Sequence, residues 1–208
     1  YNIKRILNSF GGRFLVTLVV TILRSGIAFS ASLIIARMMG PNDYGRLVFL
    51  LSIFIAFKGV LDMASSSAFF TFLSQRKRSR KFIRYYLIWV LFQFLISILS
   101  ICIILPSDLF VKLFNGESKT LVLFGFTAAF MQHHLWNISS QFAESNRETI
   151  KVQIISVVFV ALHLVVVISL WFWGYLGIFF ILIAVTLEWF VASIIIFKIC
   201  GIRADNDF

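Results

Sequence analysis

Long runs of apolar residues alternate with short polar stretches along the whole chain. A helix needs about 20 apolar residues to cross the roughly 30 Å hydrocarbon core of a bilayer, and six runs reach that length. Backbone groups in lipid must be satisfied within the segment, so the runs favour helices over a barrel. We predict an all-α, polytopic membrane protein with one membrane domain over residues 1–208. The predicted spans are 14–39, 47–73, 83–105, 121–142, 152–173 and 178–199.

Each predicted span carries a polar or ionisable residue near its middle. A charge at that depth costs about 2.5–3.5 kcal/mol even on permissive insertion scales, and such residues often mark substrate or ion paths. We therefore expect a polar site or pathway inside a helix bundle. In span order the residues are Arg24; Lys58 and Asp62; Gln93; Gln132, His133 and His134; His163; and Glu188.

The composition excludes an ordinary soluble domain. The chain is 60% hydrophobic and 13% charged, with a mean hydropathy of +0.96, whereas soluble domains carry about 25% charged residues. Although the net charge is +10, we predict no nucleic-acid partner, because Lys and Arg concentrate at the ends of the spans. There they match the positive-inside pattern and suit the anionic headgroups of the bilayer.

Counting basic residues gives the expected orientation. With the N-terminus in the cytoplasm, thirteen basic residues fall on the inside and four on the outside. The inside residues are Lys4, Arg5, Arg13, Arg76, Lys77, Arg78, Arg80, Lys81, Arg84, Arg147, Lys151, Lys198 and Arg203. The outside residues are Arg37, Arg46, Lys112 and Lys119. We expect both termini in the cytoplasm.

The segments between the spans are too short to hold a catalytic domain. Turn signals lie at Gly40–Asp43 and at Asn115–Gly116, within the longest connection, Pro106–Thr120. We expect Tyr1–Arg13 to be an amphipathic lead-in on the membrane surface. Because the chain starts with Tyr and ends soon after the sixth span, we expect it to be a fragment of a longer protein.

Arg24 is expected on the packing face of the first span. At 100° per residue, Ala28, Ala31 and Ser32 fall within about 80° of it, and small residues let helices approach closely in lipid. A guanidinium there can hold a phosphate or carboxylate with two hydrogen bonds. Arg24 is thus a candidate substrate-binding residue; alternatively, an acid on a neighbouring helix, such as Asp62 or Glu188, neutralises it.

Lys58 and Asp62 are four residues apart on one predicted helix, on a face shared with Ser65 and Ser66. A pair of opposite charges at this spacing can neutralise itself. Alternatively, Lys58 presents its charge to an anionic headgroup while Asp62 balances that charge or carries a coupling proton.

Two interpretations are open for His163 and Glu188. His163 and Glu188 are candidates for ion coupling or charge balancing, since burial can move either pKa toward neutrality; an interhelical hydrogen bond is the alternative. His133 and His134 are adjacent and project about 100° apart, so we predict no metal site.

Several motifs of enzyme chemistry do not occur in the sequence. It contains no Walker A sequence, no His-Glu-x-x-His and no Gly-x-Ser-x-Gly. We therefore predict neither enzymatic activity nor a cofactor. Cys102 and Cys200 fall in or beside lipid and are interpreted as small apolar side chains.

A sequence motif covers the end of the first predicted span and the connection after it. The segment Ile34–Gly45 reads IIARMMGPNDYG and resembles the Ala-Arg-x-Leu-Gly-Pro-x-x-Tyr-Gly pattern of Wzx-like oligosaccharide flippases, with Met39 in place of the leucine. Asp62–Ala68 resembles the family's Asp-x-Gly-x-x-x-Ala stretch, with Ala64 in place of the glycine. The resemblance covers roughly the first 75 residues. Its motif residues here are Ala36, Arg37, Gly40, Pro41, Tyr44 and Gly45.

The resemblance implies a transporter of twelve to fourteen helices in two six-helix lobes, of which this chain would be the N-terminal one. It implies flipping of undecaprenyl-diphosphate-linked oligosaccharide across the bacterial inner membrane for surface polysaccharide (O-antigen, capsule or exopolysaccharide) synthesis, with a polymerase and a chain-length regulator as further partners. Arg24 and Lys58 are the candidate diphosphate-binding residues.

Two other functions remain as alternatives. The first is an ion-coupled exporter of small cationic compounds from the same superfamily, which would need a net acidic cavity. The second is a membrane-embedded enzyme or an assembly scaffold. An enzyme would need converging acid and base groups, and a scaffold would tolerate neutralisation of every charge at mid-membrane.

Overall fold

A computed structural model describes residues 10–75 and 79–200, and it contains no strand within those ranges. The α-helices are α1 (Phe10–Asp62), α2 (Ser65–Gln75), α3 (Arg80–Leu99), α4 (Ser107–Leu113), α5 (Lys119–Ala129), α6 (Trp136–Ser145), α7 (Thr149–Phe172) and α8 (Ile178–Cys200). Two π-helical turns join consecutive helices, the first over Ser100–Ile104 after α3 and the second over Phe130–Leu135 between α5 and α6. The prediction of an all-α protein is confirmed for the described residues.

Among the described residues, four helical segments are long and apolar enough to cross a membrane: Leu15–Asp62, Arg80–Ile104, Thr149–Phe172 and Ile178–Ile199. The segment in α1 contains 48 residues, well beyond the roughly 20 that one crossing needs. These lengths and compositions are those of a multi-pass membrane protein.

Helix α1 is kinked at Gly40, which divides it into a first arm (10–39) and a second arm (41–62). Gly40 has φ 80° and ψ 167°, a region of backbone space open essentially to glycine alone. The sequence predicts a turn from Gly40 to Asp43, but helical structure resumes at Pro41 instead. Proline is well suited to the first position of a helix, because its fixed φ is helical and its missing N–H is not needed there.

The second predicted span is interrupted at Met63 and Ala64, which have φ values of 40° and 61°. The carboxylate of Asp62 causes the break by capping the next helix: it accepts hydrogen bonds from the Ser65 hydroxyl (2.9 Å) and from the backbone N–H and hydroxyl of Ser66. At Ala64, where the flippase pattern has glycine, the backbone is therefore in the left-handed region that favours glycine.

The π-helical turns shift the helix register. In the first, Leu105 N–H donates to Ser100 O at 3.0 Å; in the second, Trp136 N–H donates to Met131 O. Each is a bond to the fifth preceding residue, which defines the π-helix, and such turns are frequent at functional sites. The second turn holds Gln132, His133 and His134.

The buried apolar side chains form two clusters. One is aromatic and centres on Phe54 in α1 and Phe126 in α5, whose ring centroids are 5.3 Å apart. The second joins α7 and α8 to α1 through residues such as Val160 and Val185. Helices α5 and α1 pack closely at Gly125, where an added side-chain carbon would lie 3.4 Å from Leu50 Cβ, at van der Waals contact.

Arg46 connects two segments at one end of the bundle. Its Nε donates to Glu117 Oε1 at 2.5 Å and a terminal nitrogen donates to Glu117 Oε2 at 2.7 Å, while Asp43 accepts a third hydrogen bond. The predicted turn at Asn115–Gly116 is confirmed by φ values of 51° and 75°. The start of the second arm and the loop before α5 therefore lie at the same end, as the predicted topology requires.

Several sequence predictions concern residues outside the described part of the chain. They include most of the lead-in Tyr1–Arg13, the basic residues Arg76 to Arg78, and Arg203.

Candidate functional site

A central cavity of about 200 Å³ lies between α1, the second π-helical turn, α7 and α8. Both arms of α1 line it, so the kink at Gly40 folds two parts of one helix around the same space. Most of the lining is apolar, and a few polar groups point into it. These include Ser32, Tyr44, Gln132 and His163, and Trp189 adds an aromatic wall.

The small-residue face predicted for the first arm lines this cavity. Ala28, Ala31 and Ser32 all contribute to the wall, and Ala31 is buried. Arg24 lies one helical turn from Ala28 on the same face, about 6 Å along the helix axis. Its side chain is half-buried and forms no hydrogen bond or ion pair within residues 10–75 and 79–200. The structure therefore does not pair Arg24 with Asp62 or Glu188.

His163 and Glu188 meet across the interface of α7 and α8. His163 Nδ1 and Glu188 Oε2 are hydrogen-bonded at 2.8 Å, and His163 lines the central cavity. Glu188 is buried, and its other oxygen, Oε1, has no hydrogen-bond partner in the described part of the chain. Through this pair, the cavity wall is connected to a buried carboxylate whose second oxygen has no hydrogen-bond donor among the described residues.

Lys58 lies in a different part of the bundle from Arg24. It lines a void of about 10 Å³ together with Phe130 and His134. Its half-buried side chain has no hydrogen bond or ion pair to any described residue. The predicted self-neutralising pair with Asp62 is not formed, because Ser65 and Ser66 occupy the carboxylate of Asp62.

Gln93 connects His134, in the region around Lys58, to the break between α1 and α2. Its side-chain N–H donates to the carbonyl of Leu61 at 2.7 Å, so its oxygen faces His134 Nε2 at 3.1 Å. Because an oxygen can only accept, His134 must carry its hydrogen on Nε2. His134 Nδ1 is then a buried acceptor, and it has no partner among the residues described.

The motif residues have distinct positions. Gly40 and Pro41 form the kink, and Tyr44 lines the central cavity. Arg37 is exposed near the end of the first arm. The motif therefore positions the cavity wall as well as the kink.

Some site residues have only weak sequence signals. Trp189 and Gln132 face the cavity, but nothing in the local sequence distinguishes Trp189 from the other aromatic residues. Gln132 is one of the polar residues near mid-span, and its orientation depends on the π-helical turn. No group of three or more His, Cys, Asp or Glu side chains able to hold a metal is found over residues 10–75 and 79–200.

Comparison with protein-family models, curated proteins and solved structures finds no match for this chain.

Proposed function

We propose that this chain is one lobe of a flippase that moves undecaprenyl-diphosphate-linked oligosaccharide across the bacterial inner membrane by alternating access. The single observation that carries the proposal concerns Arg24, a half-buried arginine that has no acidic partner among the described residues. It lies on the same helix face as a cavity that has polar groups in its wall. A diphosphate needs cationic groups to enter the membrane, and Arg suits it because the guanidinium forms paired hydrogen bonds with phosphate oxygens.

Lys58 is proposed to assist at a second position. It also lacks an acidic partner among the described residues, but it is separated from the central cavity. In an alternating-access cycle, helices rearrange around the substrate. Lys58 would contact the diphosphate in a state other than the one described here.

The proposed topology has six crossings with the N-terminus in the cytoplasm. The two arms of α1 supply two crossings, and α5, the second π-helical turn and α6 supply another from consecutive segments of 11, 6 and 10 residues. The Arg46–Glu117 contact joins the first connection to the third. In the proposed topology both connections lie on the outer side of the membrane, which this contact supports.

Asp62, His163 and Glu188 are proposed to balance charge or couple ions. The His163–Glu188 pair is the stronger of these candidates, since it combines a cavity-facing imidazole with a buried carboxylate. Asp62 is satisfied by three donors at the helix break, so its contribution would require that break to rearrange.

The proposal is tested by expressing variants of the full protein in a strain that lacks it and measuring surface polysaccharide. Arg24→Ala and Lys58→Ala should abolish export while the protein still inserts at normal abundance. Arg24→Lys should retain part of the activity, because it keeps the charge and loses the paired geometry. Lys81→Ala, at an exposed basic residue near the start of α3, is the matched control.

Undiminished export in Arg24→Ala, in Lys58→Ala and in the double variant would exclude the cationic binding mechanism. Normal polysaccharide in the strain that lacks the protein, together with increased sensitivity to cationic drugs, would instead support the alternative of a small-molecule exporter.

A further inference from the structure

The residues at the break between α1 and α2 do not themselves require a break. Met63 and Ala64 have φ values of 40° and 61°, and a residue other than glycine enters this left-handed region only at a cost in energy. Alanine is the best helix former, and methionine is one of the good ones. No proline occurs between Pro41 and Pro106. The sequence therefore permits one helix that runs from the second arm of α1 through α2.

Two side chains hold the break in place. The carboxylate of Asp62 accepts hydrogen bonds from the hydroxyls of Ser65 and Ser66 and from the backbone N–H of Ser66. The side-chain N–H of Gln93 donates to the carbonyl of Leu61 at 2.7 Å. These bonds satisfy backbone groups that a helix would otherwise satisfy itself.

A continuous helix would replace most of these bonds with its own. The backbone N–H of each residue in an α-helix donates to the carbonyl four residues before it. Ser65 N–H would therefore donate to Leu61 O, and Ser66 N–H to Asp62 O. Gln93 would release the Leu61 carbonyl and keep its bond to His134.

The serine hydroxyls would also find acceptors in a continuous helix. A serine within a helix can donate to the carbonyl four residues before it. Ser30 and Ser74 form this bond in the same chain, at 2.9 and 2.8 Å. The hydroxyls of Ser65 and Ser66 would then no longer occupy the carboxylate of Asp62.

Lys58 would gain a partner from this change. Its half-buried side chain forms no hydrogen bond or ion pair with any described residue. It lies four residues before Asp62, a spacing at which two side chains on one helix are neighbours. Away from water an ion pair is stronger than in water, so a freed carboxylate would bind the ammonium of Lys58.

We propose that the break at Met63 and Ala64 is one position of a two-state switch. In the described position, Asp62 caps α2 and Lys58 is unpaired. In the other position, α1 and α2 form one helix and Asp62 pairs with Lys58. The two positions exchange one set of hydrogen bonds for another, as a bistable element of a conformational change does. This inference does not depend on the proposed transport function.

The test measures the distance between two spin labels on either side of the break, by electron paramagnetic resonance on the full protein in nanodiscs. The labels are attached at Ser52→Cys and Thr71→Cys, which are exposed positions, after Cys102 and Cys200 have been replaced by alanine. In a continuous helix these positions are about 29 Å apart at 1.5 Å per residue. The broken helix gives a different distance, so the two states are counted separately.

Removing the serine donors should favour the continuous helix. Ser65→Ala with Ser66→Ala should raise the population at the continuous-helix distance at least about fivefold, the size of effect that the loss of a helix cap has. Ser67→Ala is the matched control, since Ser67 is an exposed serine of α2 outside the cap formed by Asp62. Ser65→Ala alone replaces the double variant if that variant misfolds.

Two further substitutions, each added to the serine variant, should reverse its effect. Lys58→Met should remove the gain, because the carboxylate of Asp62 then has no ammonium to bind. Ala64→Gly should lower the continuous-helix population about tenfold, since glycine adopts positive φ without a steric cost. Ala68→Gly, at an exposed position within α2, is the control for Ala64→Gly and should leave the ratio of the two states unchanged.

The same distances can overturn the proposal in two ways. One unchanged distance in the wild type, in the double serine variant and in Ser65→Ala would exclude a second state. A continuous-helix population that Lys58→Met leaves unchanged would show that the helix straightens without the ion pair, and would overturn the role assigned to Lys58 and Asp62.

Discussion

Gln93 and His134 are hydrogen-bonded between Oε1 and Nε2 at 3.1 Å, and both side chains are buried. The same Gln93 side chain also binds the carbonyl of Leu61. That carbonyl lies at the end of α1, where the helix ends and no longer supplies a backbone N–H to it. One glutamine from α3 therefore connects the helix break to the second π-helical turn.

Gln93→Leu should lower the stability of the protein. The substitution leaves Leu61 O and His134 Nε2–H without partners, and each such group costs about 1–3 kcal/mol in a buried site. Interhelical hydrogen bonds in membranes average less, about 0.6 kcal/mol, because the unfolded state also finds partners. We expect a loss of about 1 kcal/mol or more in thermal unfolding in detergent.

Gln153→Leu is the control for this prediction. Its side-chain oxygen is buried and has no hydrogen-bond partner in the described part of the chain, so the same substitution removes no hydrogen bond of that oxygen. An equal loss of stability in both variants would contradict the bridging role of Gln93.

His163 and Glu188 should be energetically coupled. Glu188→Leu removes the partner of His163 Nδ1, and His163→Leu removes that of Glu188 Oε2. Each single variant leaves one group unsatisfied, whereas the double variant leaves neither. A double-mutant cycle by thermal unfolding should therefore give a coupling energy of about 0.6–1.7 kcal/mol. Additive effects would show that the contact contributes no net stability.

Gly40→Ala should destabilise the kink of α1. Gly40 has φ 80° and ψ 167°, and a non-glycine residue held in such a region costs about 1–3 kcal/mol. The matched control is Gly45→Ala: Gly45 lies within the helical second arm, and no atom lies within 4 Å of where its side chain would be. Alanine favours a helix by up to about 1 kcal/mol over glycine. The two variants should thus change the unfolding temperature in opposite directions.

The contact between Arg46 and Glu117 should weaken in acid. The hydrogen bonds from Arg46 hold the pKa of Glu117 below its usual range, which is about 4.3 when unperturbed. A lowered folded-state pKa means that the stabilisation is complete above the unfolded pKa and is lost as the pH falls through the folded one.

Thermal unfolding measured from pH 7 down to pH 3 tests whether this stabilisation is lost in acid. The wild-type protein should lose more stability on acidification than Glu117→Gln, in which the titrating group is absent. Asp108→Asn, at an exposed carboxylate in α4, should behave as the wild type does. Identical acid profiles for wild type and Glu117→Gln would refute the assignment.

The parts of the fold that local sequence determines were predictable. Length and apolarity locate the helices, and Asn115–Gly116 marks a turn because both residues tolerate positive φ. The small residues beside Arg24 predict the packing face, which the structure places on the central cavity.

The remaining features depend on contacts between distant segments. Met63 and Ala64 carry no turn signal. The helix break at these residues depends on Asp62, which caps α2, and on the Gln93 side chain, whose N–H donates to the carbonyl of Leu61. The short helix α4 falls in a segment interpreted as a connection, since seven residues give too little periodicity to recognise.

The pairing of helix faces also cannot be predicted from a single sequence. His163 and Glu188 were candidates individually, and an interhelical hydrogen bond was one of two readings for them, but helix order does not determine which faces meet. The orientation of Gln132 and His134 likewise depends on the second π-helical turn, which shifts the helix register at these residues.

The most direct test of the proposed function is lipid flipping by the purified full protein in proteoliposomes. Undecaprenyl-diphosphate-linked oligosaccharide is placed in the membrane, and the fraction accessible to an added glycosidase is followed over time. We expect fast flipping by the wild type and a large loss in Arg24→Gln and Lys58→Gln, with Lys81→Gln unchanged. Flipping at the protein-free rate, or equal rates for wild type and both cation variants, would contradict the proposed function.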